Sequence, residues 1–310
     1  MSTIETEYNL ITILGHTAGG KTSVAAHVAY LLNGEVLSAD SRQVYRGMDI
    51  GTGKDLKDYK VRGLDIPYHL IDIVDAGYEY SVYEFQKDFN EAYQKVHNAG
   101  HIAVMCGGSG LYIESVLKNY RMLKVPLNKA LRDMLEKMDN EGLKNRLREY
   151  GPMHNITDTE SRKRMIRAIE IAEFHKREEA VPFKDLDINS LVIGINFDRE
   201  SRRRRITERL KQRINQGMIQ EVEQLLASGL DHAKLQYYGL EYKYISLYIL
   251  GELSRDQMID KLNTAIHQFA KRQMTYFRGM ERRGIDIRWL DGYLPMEEKV
   301  NKIEAWFRLI

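Results

Sequence analysis

Eight consecutive residues, Gly15-His16-Thr17-Ala18-Gly19-Gly20-Lys21-Thr22, have the form G-x-x-x-x-G-K-T. Glycines at these positions let backbone N–H groups curl around phosphate oxygens, while the lysine ammonium and the Thr22 hydroxyl can hold phosphate and magnesium. The apolar run Leu10-Ile11-Thr12-Ile13-Leu14 ahead of the loop reads as a strand, and Ser23 to Ala29 behind it has helical composition. The helix N-terminus adds its partial positive charge. A phosphate or pyrophosphate group is expected at Gly15–Thr22, with Thr22 toward the metal; the spacing leaves open whether the phosphates belong to a nucleotide. A second reactive group, Asp40, follows the short strand Glu35-Val36-Leu37-Ser38. Ligands bind beyond the carboxyl ends of parallel strands, so Asp40 can share a cleft with the phosphate loop. A carboxylate there can take a proton, and the loop can neutralise an anionic leaving group.

The elements that must position these groups alternate between strand and helix. Tyr68 to Ile73 reads as a strand, Val82 to His97 as an amphipathic helix, His101 to Cys106 as a buried strand, and Leu111 to Leu117 as a helix after Gly107-Gly108-Ser109-Gly110. Such alternation implies an α/β fold whose parallel sheet is wrapped by helices. The segment from Arg42 to Lys54 has neither period and reads as a functional loop. From Lys118 to Asn189 the strand signal disappears into charged helices at Asn128–Met138, Glu141–Tyr150 and Glu160–Arg177. Strand composition returns at Leu191–Phe197, followed by helices Arg199–Gln216, Met218–Ser228, Leu240–Leu250 and Ser254–Met280, a strand Asp286–Leu290 and a helix Met296–Leu309. The division is a catalytic core of residues 1–117 and 190–310 around an all-helical insertion, 118–189.

In 310 residues, 46 Lys plus Arg face 44 Asp plus Glu, so the net charge of +2 says little and clustering decides. Arg202, Arg205, Arg209 and Arg213 form a helical stripe beside Ile206, Leu210 and Ile214, which face the core. Two further basic clusters, Arg162-Lys163-Arg164 with Arg167 and Lys271-Arg272 with Arg278, Arg282 and Arg283, make a polarised surface of the kind that meets a nucleic-acid backbone. Tyr45, Tyr237, Tyr238 and Tyr276 are available to stack on bases, although most of the 19 tyrosines belong to core or rim. The single cysteine, Cys106, excludes internal disulfides and reads as a small buried residue. His97 and His101 have helical zinc spacing, but Gly100 ends the helix between them and no further ligand is near. The N-terminal apolar run is too short for a secretory or membrane segment, and a cytoplasmic protein is expected.

These residues also fit a family pattern. Gly15-x-Thr17-Ala18-x-Gly20-Lys21-Thr22, then Ser38-Ala39-Asp40-Ser41-x-Gln43-Val44-Tyr45 through Gly51-Thr52-x-Lys54, resembles the tRNA dimethylallyltransferase (tRNA isopentenyltransferase) family, which has a P-loop NTPase-like core. Gly107-Gly108-Ser109-Gly110-Leu111-Tyr112, Arg164-x-x-Arg167-Ala168-Ile169-Glu170 and Ala270-Lys271-Arg272-Gln273-x-Thr275-x-x-Arg278 extend the likeness along the chain. The resemblance implies transfer of the dimethylallyl group of dimethylallyl diphosphate to N6 of adenosine 37, just 3′ of the tRNA anticodon. It makes Asp40 the base, Ser109 a contact of the reacting centre, and Lys21 and Arg209 the residues that neutralise diphosphate, with Mg2+ as cofactor. Gly15, His16, Thr17, Ala18, Gly19, Gly20, Lys21 and Thr22 would hold the diphosphate. Asp40, Ser41, Arg42, Gln43 and Ser109 would meet the flipped adenine and its neighbours, while Arg132, Arg164, Arg167, Lys271, Arg272 and Gln273 serve the anticodon stem-loop, the insertion acting as a clamp. A monomer of the compact bacterial form is implied, without the eukaryotic members' C-terminal zinc finger. His16 replaces the usual proline, Gly19 the usual serine, and Glu241 stands where glycine is common.

Two other activities compete. A P-loop kinase or NTPase needs a strand ending in a magnesium-binding aspartate, whereas Val104-Met105-Cys106-Gly107-Gly108 carries no carboxylate. An isopentenyltransferase acting on free adenine nucleotide would not call for the helical insertion or three basic patches. Non-catalytic RNA binding leaves Lys21, Thr22 and Asp40 unexplained.

Overall fold

The computed structural model describes residues 6–120, 122–151, 161–177 and 186–308. Its elements in chain order are β1 (Leu10–Gly15), α1 (Lys21–Leu32), β2 (Gly34–Ser38), β3 (Tyr45–Arg46), β4 (Lys60–Val61), β5 (Leu64–Asp65), β6 (Tyr68–His69), β7 (Val74–Asp75), α2 (Val82–Asn98), β8 (Ile102–Gly107) and α3 (Gly110–Leu117). There follow α4 (Lys129–Leu135), α5 (Asn140–Arg148), α6 (Arg162–Arg177), β9 (Ser190–Asn196), α7 (Arg199–Asn215), α8 (Met218–Ala227), α9 (His232–Tyr238), α10 (Leu240–Ile249), α11 (Arg255–Arg282), β10 (Ile287–Asp291) and α12 (Met296–Arg308). Two compact units result, one from residues 1–120 and 186–310, the other from 121–185. Glu160 and Leu309, which the sequence places at helix ends, lie outside the described residues.

The larger unit is a six-stranded sheet in the order β10-β9-β1-β8-β2-β6, with every pairing parallel. β1 is central, and all six of its residues are buried because helices cover both faces. Leu10 and Leu14 join the apolar cluster under α2, α3, α7, α8, α10 and α11, while Ile11 and Ile13 join the opposite cluster under α1 and α12. This alternation is the two-residue period of a strand buried on both sides. α2 and α11 begin at reciprocal caps, Ser81 with Glu84 and Ser254 with Gln257, which satisfy the first free N–H groups of each helix.

One strand is shorter than the sequence implies. Only Tyr68 and His69 pair with β2, and the run to Ile73 leaves the sheet. Leu70 and Asp72 adopt φ values of 64° and 55°, left-handed turns that a pleated strand cannot contain. Beyond them β7 pairs with β3 from the otherwise irregular 42–54 segment. α9 is an additional helix absent from the sequence reading; its seven residues are too few to show a period, and Asp231 caps it through the Lys234 N–H.

The smaller unit packs α4, α5 and α6 around Leu135, Leu143, Leu147, Met165, Ile166 and Ile169. Beside this small core lies Glu170, only 2% exposed. Its carboxylate accepts from Arg132 at 3.0 and 2.8 Å, from Arg167, and from the Asn128 N–H at 2.6 Å. Burial raises the Glu170 pKa, but hydrogen bonds from Arg132, Asn128 and Arg167 outweigh that and hold it down to about 2. Arg162 donates to the carbonyls of Leu135, Glu136 and Met138, closing the C-terminal end of α4.

Candidate functional site

The phosphate loop is made by a strand that cannot continue and a helix that starts abruptly. Gly20 stands at the N-terminus of α1 with φ 74°, a conformation that glycine adopts without steric cost. The loop is stitched internally: the Gly19 N–H donates to the His16 carbonyl at 3.2 Å, and so does Lys21 Nζ at 2.9 Å. Desolvation lowers the Lys21 pKa, which the negative charge of nearby Asp40 opposes. In this arrangement the lysine lies back on its own loop.

His16, where the family pattern has proline, is fully buried. Its Nδ1 lies 2.6 Å from the Thr17 carbonyl, an acceptor only, so Nδ1 carries the hydrogen. Nε2 is buried without a hydrogen-bond partner, and the ring meets Phe197 edge-on at 5.9 Å. Burial drives the His16 pKa down to about 4, and the charges of Lys21, Arg202 and Arg205 push the same way. The imidazole is therefore neutral at physiological pH.

A cavity of about 680 Å³ opens above the carboxyl ends of the strands. Thr17 to Thr22 form one part of its wall and Asp40 to Gln43 another, with Gly107, Gly108 and Ser109 between them. The order β1-β8-β2 explains this, since the loops that follow the three strands must emerge side by side. Asp40 Oδ1 accepts from the Arg42 N–H at 2.9 Å, and Ser109 Oγ accepts from the Ser41 N–H at 3.0 Å. Ser109 thus ties the turn after β8 to the turn after β2. Cys106 is buried, with its thiol pushed up to about 12 by burial, which suits an inert apolar residue rather than a nucleophile.

The third wall is basic. Arg209 Nη2 donates to Asp55 Oδ2 at 2.7 Å and Arg213 Nη2 reaches the same oxygen at 3.5 Å, while Arg205 Nε donates to the Ala18 carbonyl at 3.1 Å. Arg213 is held down to about 10 by burial and then by the like charge of Arg209. Gly53 is what lets the two guanidiniums close together: a Cβ there would lie 2.0 Å from Arg213 Nη2 and 2.7 Å from Arg209 Nη2. Glu241 lines the same cavity, and burial raises its pKa.

Two of the residues that the resemblance assigns to RNA also make bonds within the protein. Gln273 is 8% exposed; its Oε1 accepts from the Thr17 N–H and its Nε2 donates to the Gly108 carbonyl, both at 2.9 Å. It fastens α11 to the phosphate loop. The Gln43 amide donates to the Gly53 carbonyl and accepts from the Ser38 hydroxyl. Arg132 and Arg167 are engaged with Glu170, whereas Lys271 and Arg272 are exposed and Arg272 lines the cavity. Asp55 was absent from the sequence reading. So was Glu221, a carboxylate that accepts from the N–H groups of Asp49, Ile50 and Gly51 and from the Tyr242 hydroxyl, at 2.6–3.0 Å. Lys54 Nζ, also buried, donates to Asp49, Asp72 and the Tyr45 carbonyl. Together Glu221 and Lys54 hold the irregular loop at the cavity edge, and neither partnership has a short-range signature.

Comparison with known proteins agrees with this geometry. The sequence model of the IPP transferase family matches residues 43–280. The tRNA dimethylallyltransferase 2 of Phocaeicola vulgatus is 57% identical over 297 residues, covering 96% of this chain and 97% of that protein. The tRNA dimethylallyltransferase 1 of Geotalea daltonii is 54% identical, covering 92% of this chain and 91% of its own. Among solved structures, the tRNA isopentenylpyrophosphate transferase of Bacillus halodurans superposes with a TM-score of 0.70 at 29% identity, over 97% of this chain and 95% of that one. A eukaryotic dimethylallyltransferase acting on tRNA shares the fold, with a TM-score of 0.76 at 22% identity over 96% of this chain and 78% of its own. The chain belongs to the IPP transferase family.

Proposed function

We propose that this protein transfers the dimethylallyl group of dimethylallyl diphosphate to N6 of adenosine 37 of tRNA, releasing diphosphate. The observation that carries the reading is that one cavity is lined by both Thr17–Thr22 of the phosphate loop and Asp40. In the reaction N6 attacks C1 of the allyl group, the C1–O bond breaks, and its electron pair leaves with diphosphate. The N6 proton goes to Asp40. One Asp40 oxygen is fixed by the Arg42 N–H and the other has no hydrogen-bond partner among the described residues, as a general base requires. Lys21, Arg209 and the N–H groups of the loop meet the negative charge that grows on the departing diphosphate.

Mg2+ belongs to the proposal. Thr22 offers one hydroxyl at the cavity wall, and no group of three or more His, Cys, Asp or Glu able to hold a metal occurs among the described residues. That fits an ion which binds through substrate phosphates, keeps several waters and takes one protein oxygen. When bound, it supplies charge neutralisation of the diphosphate.

The acceptor is taken to be the anticodon stem-loop, with the exposed Lys271 and Arg272 and the helical unit 121–185 as its contacts. No helix among the described residues is long and apolar enough to cross a membrane; the buried free cysteine accords with a cytoplasmic setting, and a monomer is the working unit, open to test by sedimentation. Incubation with labelled dimethylallyl diphosphate and unmodified tRNA, followed by nuclease mapping, tests the whole reading. Label on N6 of the adenosine 3′ of the anticodon is expected. Label on free AMP instead, or magnesium-stimulated phosphate release from ATP without tRNA, overturns it.

A further inference from the structure

Four tyrosines had the chemistry to stack on a base, and the structure separates them. Tyr45 and Tyr238 are each 1% exposed and belong to the core, and the Tyr276 hydroxyl is taken by Glu114 at 2.6 Å. Tyr237 is 45% exposed, yet it lines the same cavity as Asp40 and Arg42. It stands near the end of α9, just before Gly239, whose φ of 156° breaks the chain direction between α9 and α10.

The ring is held firmly. It meets Tyr238 edge-on with centroids 5.6 Å apart, and Tyr238 meets Tyr45 edge-on at 4.6 Å. The Tyr238 hydroxyl accepts from the Gly77 N–H at 2.6 Å and donates to the Tyr78 carbonyl at 3.1 Å, so the supporting ring is itself fixed. Arg42 places its guanidinium carbon 5.5 Å from the Tyr237 ring centroid, and its own N–H is bonded to Asp40. A rigid aromatic face paired with a guanidinium therefore stands beside the carboxylate that receives the N6 proton. Such pairs are surfaces on which unpaired bases stack, because every base has a π-face and the cation polarises the ring. An aliphatic side chain of equal area would cover the same surface without that property.

Resting on the reaction assigned above, we propose that Tyr237, with Arg42, is the stacking platform for one unpaired base of the acceptor RNA at the mouth of the active site. The test uses the full-length protein and anticodon stem-loop RNAs carrying 2-aminopurine, in separate molecules, at the acceptor adenosine and at each flanking position. Wild type is expected to quench one position on binding. Tyr237→Phe keeps the quench and the affinity, whereas Tyr237→Leu and Tyr237→Ala lose the quench and weaken RNA binding about tenfold to hundredfold. Dimethylallyl diphosphate binding, measured on the same variants, stays at the wild-type value and reports intact folding. Wild-type RNA affinity in Tyr237→Ala, or a quench retained in Tyr237→Leu, overturns the platform. Because binding is read without turnover, this result is separate from the reaction itself. A wild-type enzyme that prenylates tRNA while Tyr237→Ala binds normally removes the stack alone, and a wild type that neither binds nor modifies tRNA removes the function.

Discussion

At the scale of single residues, the proposed chemistry turns on Asp40. Asn has the same shape but cannot accept the N6 proton, so Asp40→Asn is expected to lower single-turnover rate about a hundredfold to ten-thousandfold while diphosphate binding persists. Loss of diphosphate binding with a near-normal rate at saturation would instead make Asp40 a ligand of the loop. His16 carries a pH dependence. Its pKa of about 4 in the folded protein lies below the ordinary value of 6.5, so the unfolded chain holds the proton more tightly between those values. Stability is then highest above pH 6.5 and falls as the pH drops toward 4, by up to about 3 kcal/mol. Urea unfolding of wild type and His16→Asn at pH 7.0 and 4.5 checks it, since the part of the loss due to this imidazole is missing in the variant. Gly53→Ala drives a methyl group into Arg209 and Arg213, and dimethylallyl diphosphate affinity is expected to fall about tenfold, as measured by titration.

Elements decide which of these features can be read from the chain. The loop Gly15–Thr22 and the helix after it are legible because their physics is local: glycines for the turn, a helix N-terminus for the charge. Asp40 is legible because a short strand ends just before it. Nothing local announces that Arg132 reaches Glu170 from another helix, or that Asp55 fastens Arg209, because these partnerships join residues far apart in the chain; only the Arg167–Glu170 contact, three residues apart on α6, has helical spacing. A basic residue on a helix, such as Arg167, looks the same in the sequence whether its partner is a phosphate or a carboxylate. In the small unit around Leu135, Leu143 and Ile169 that brace counts for much. Glu170→Ala removes the acceptor shared by Arg132, Arg167 and the Asn128 N–H; the two arginine side chains, 32% and 39% exposed, keep access to water, so the loss is about 1–3 kcal/mol. Limited proteolysis of this variant is expected to cut first within 121–185, leaving the sheet unit protected; uniform resistance would mean the pair is dispensable.

For the whole molecule, the near balance of 46 basic and 44 acidic side chains means that RNA affinity depends on where charge is left unneutralised. Lys271 and Arg272 are exposed on α11. Replacing both by alanine is expected to flatten the dependence of log affinity for tRNA on log salt by about one to two units, an unchanged slope ruling out their contact with phosphate. The architecture also sets a timetable for synthesis. The Thr17 N–H is satisfied by Gln273, 256 residues later, and β1 pairs with β9, which begins at Ser190. At about 5–20 residues per second, a ribosome needs on the order of ten to fifty seconds between making the loop and making the residue that fastens it. Throughout that interval a strand buried on both faces in the finished sheet waits without its full set of neighbours. The phosphate loop, although among the first parts of the chain to emerge, is thus one of the last to become competent, and a nascent chain stalled before α11 should bind no diphosphate.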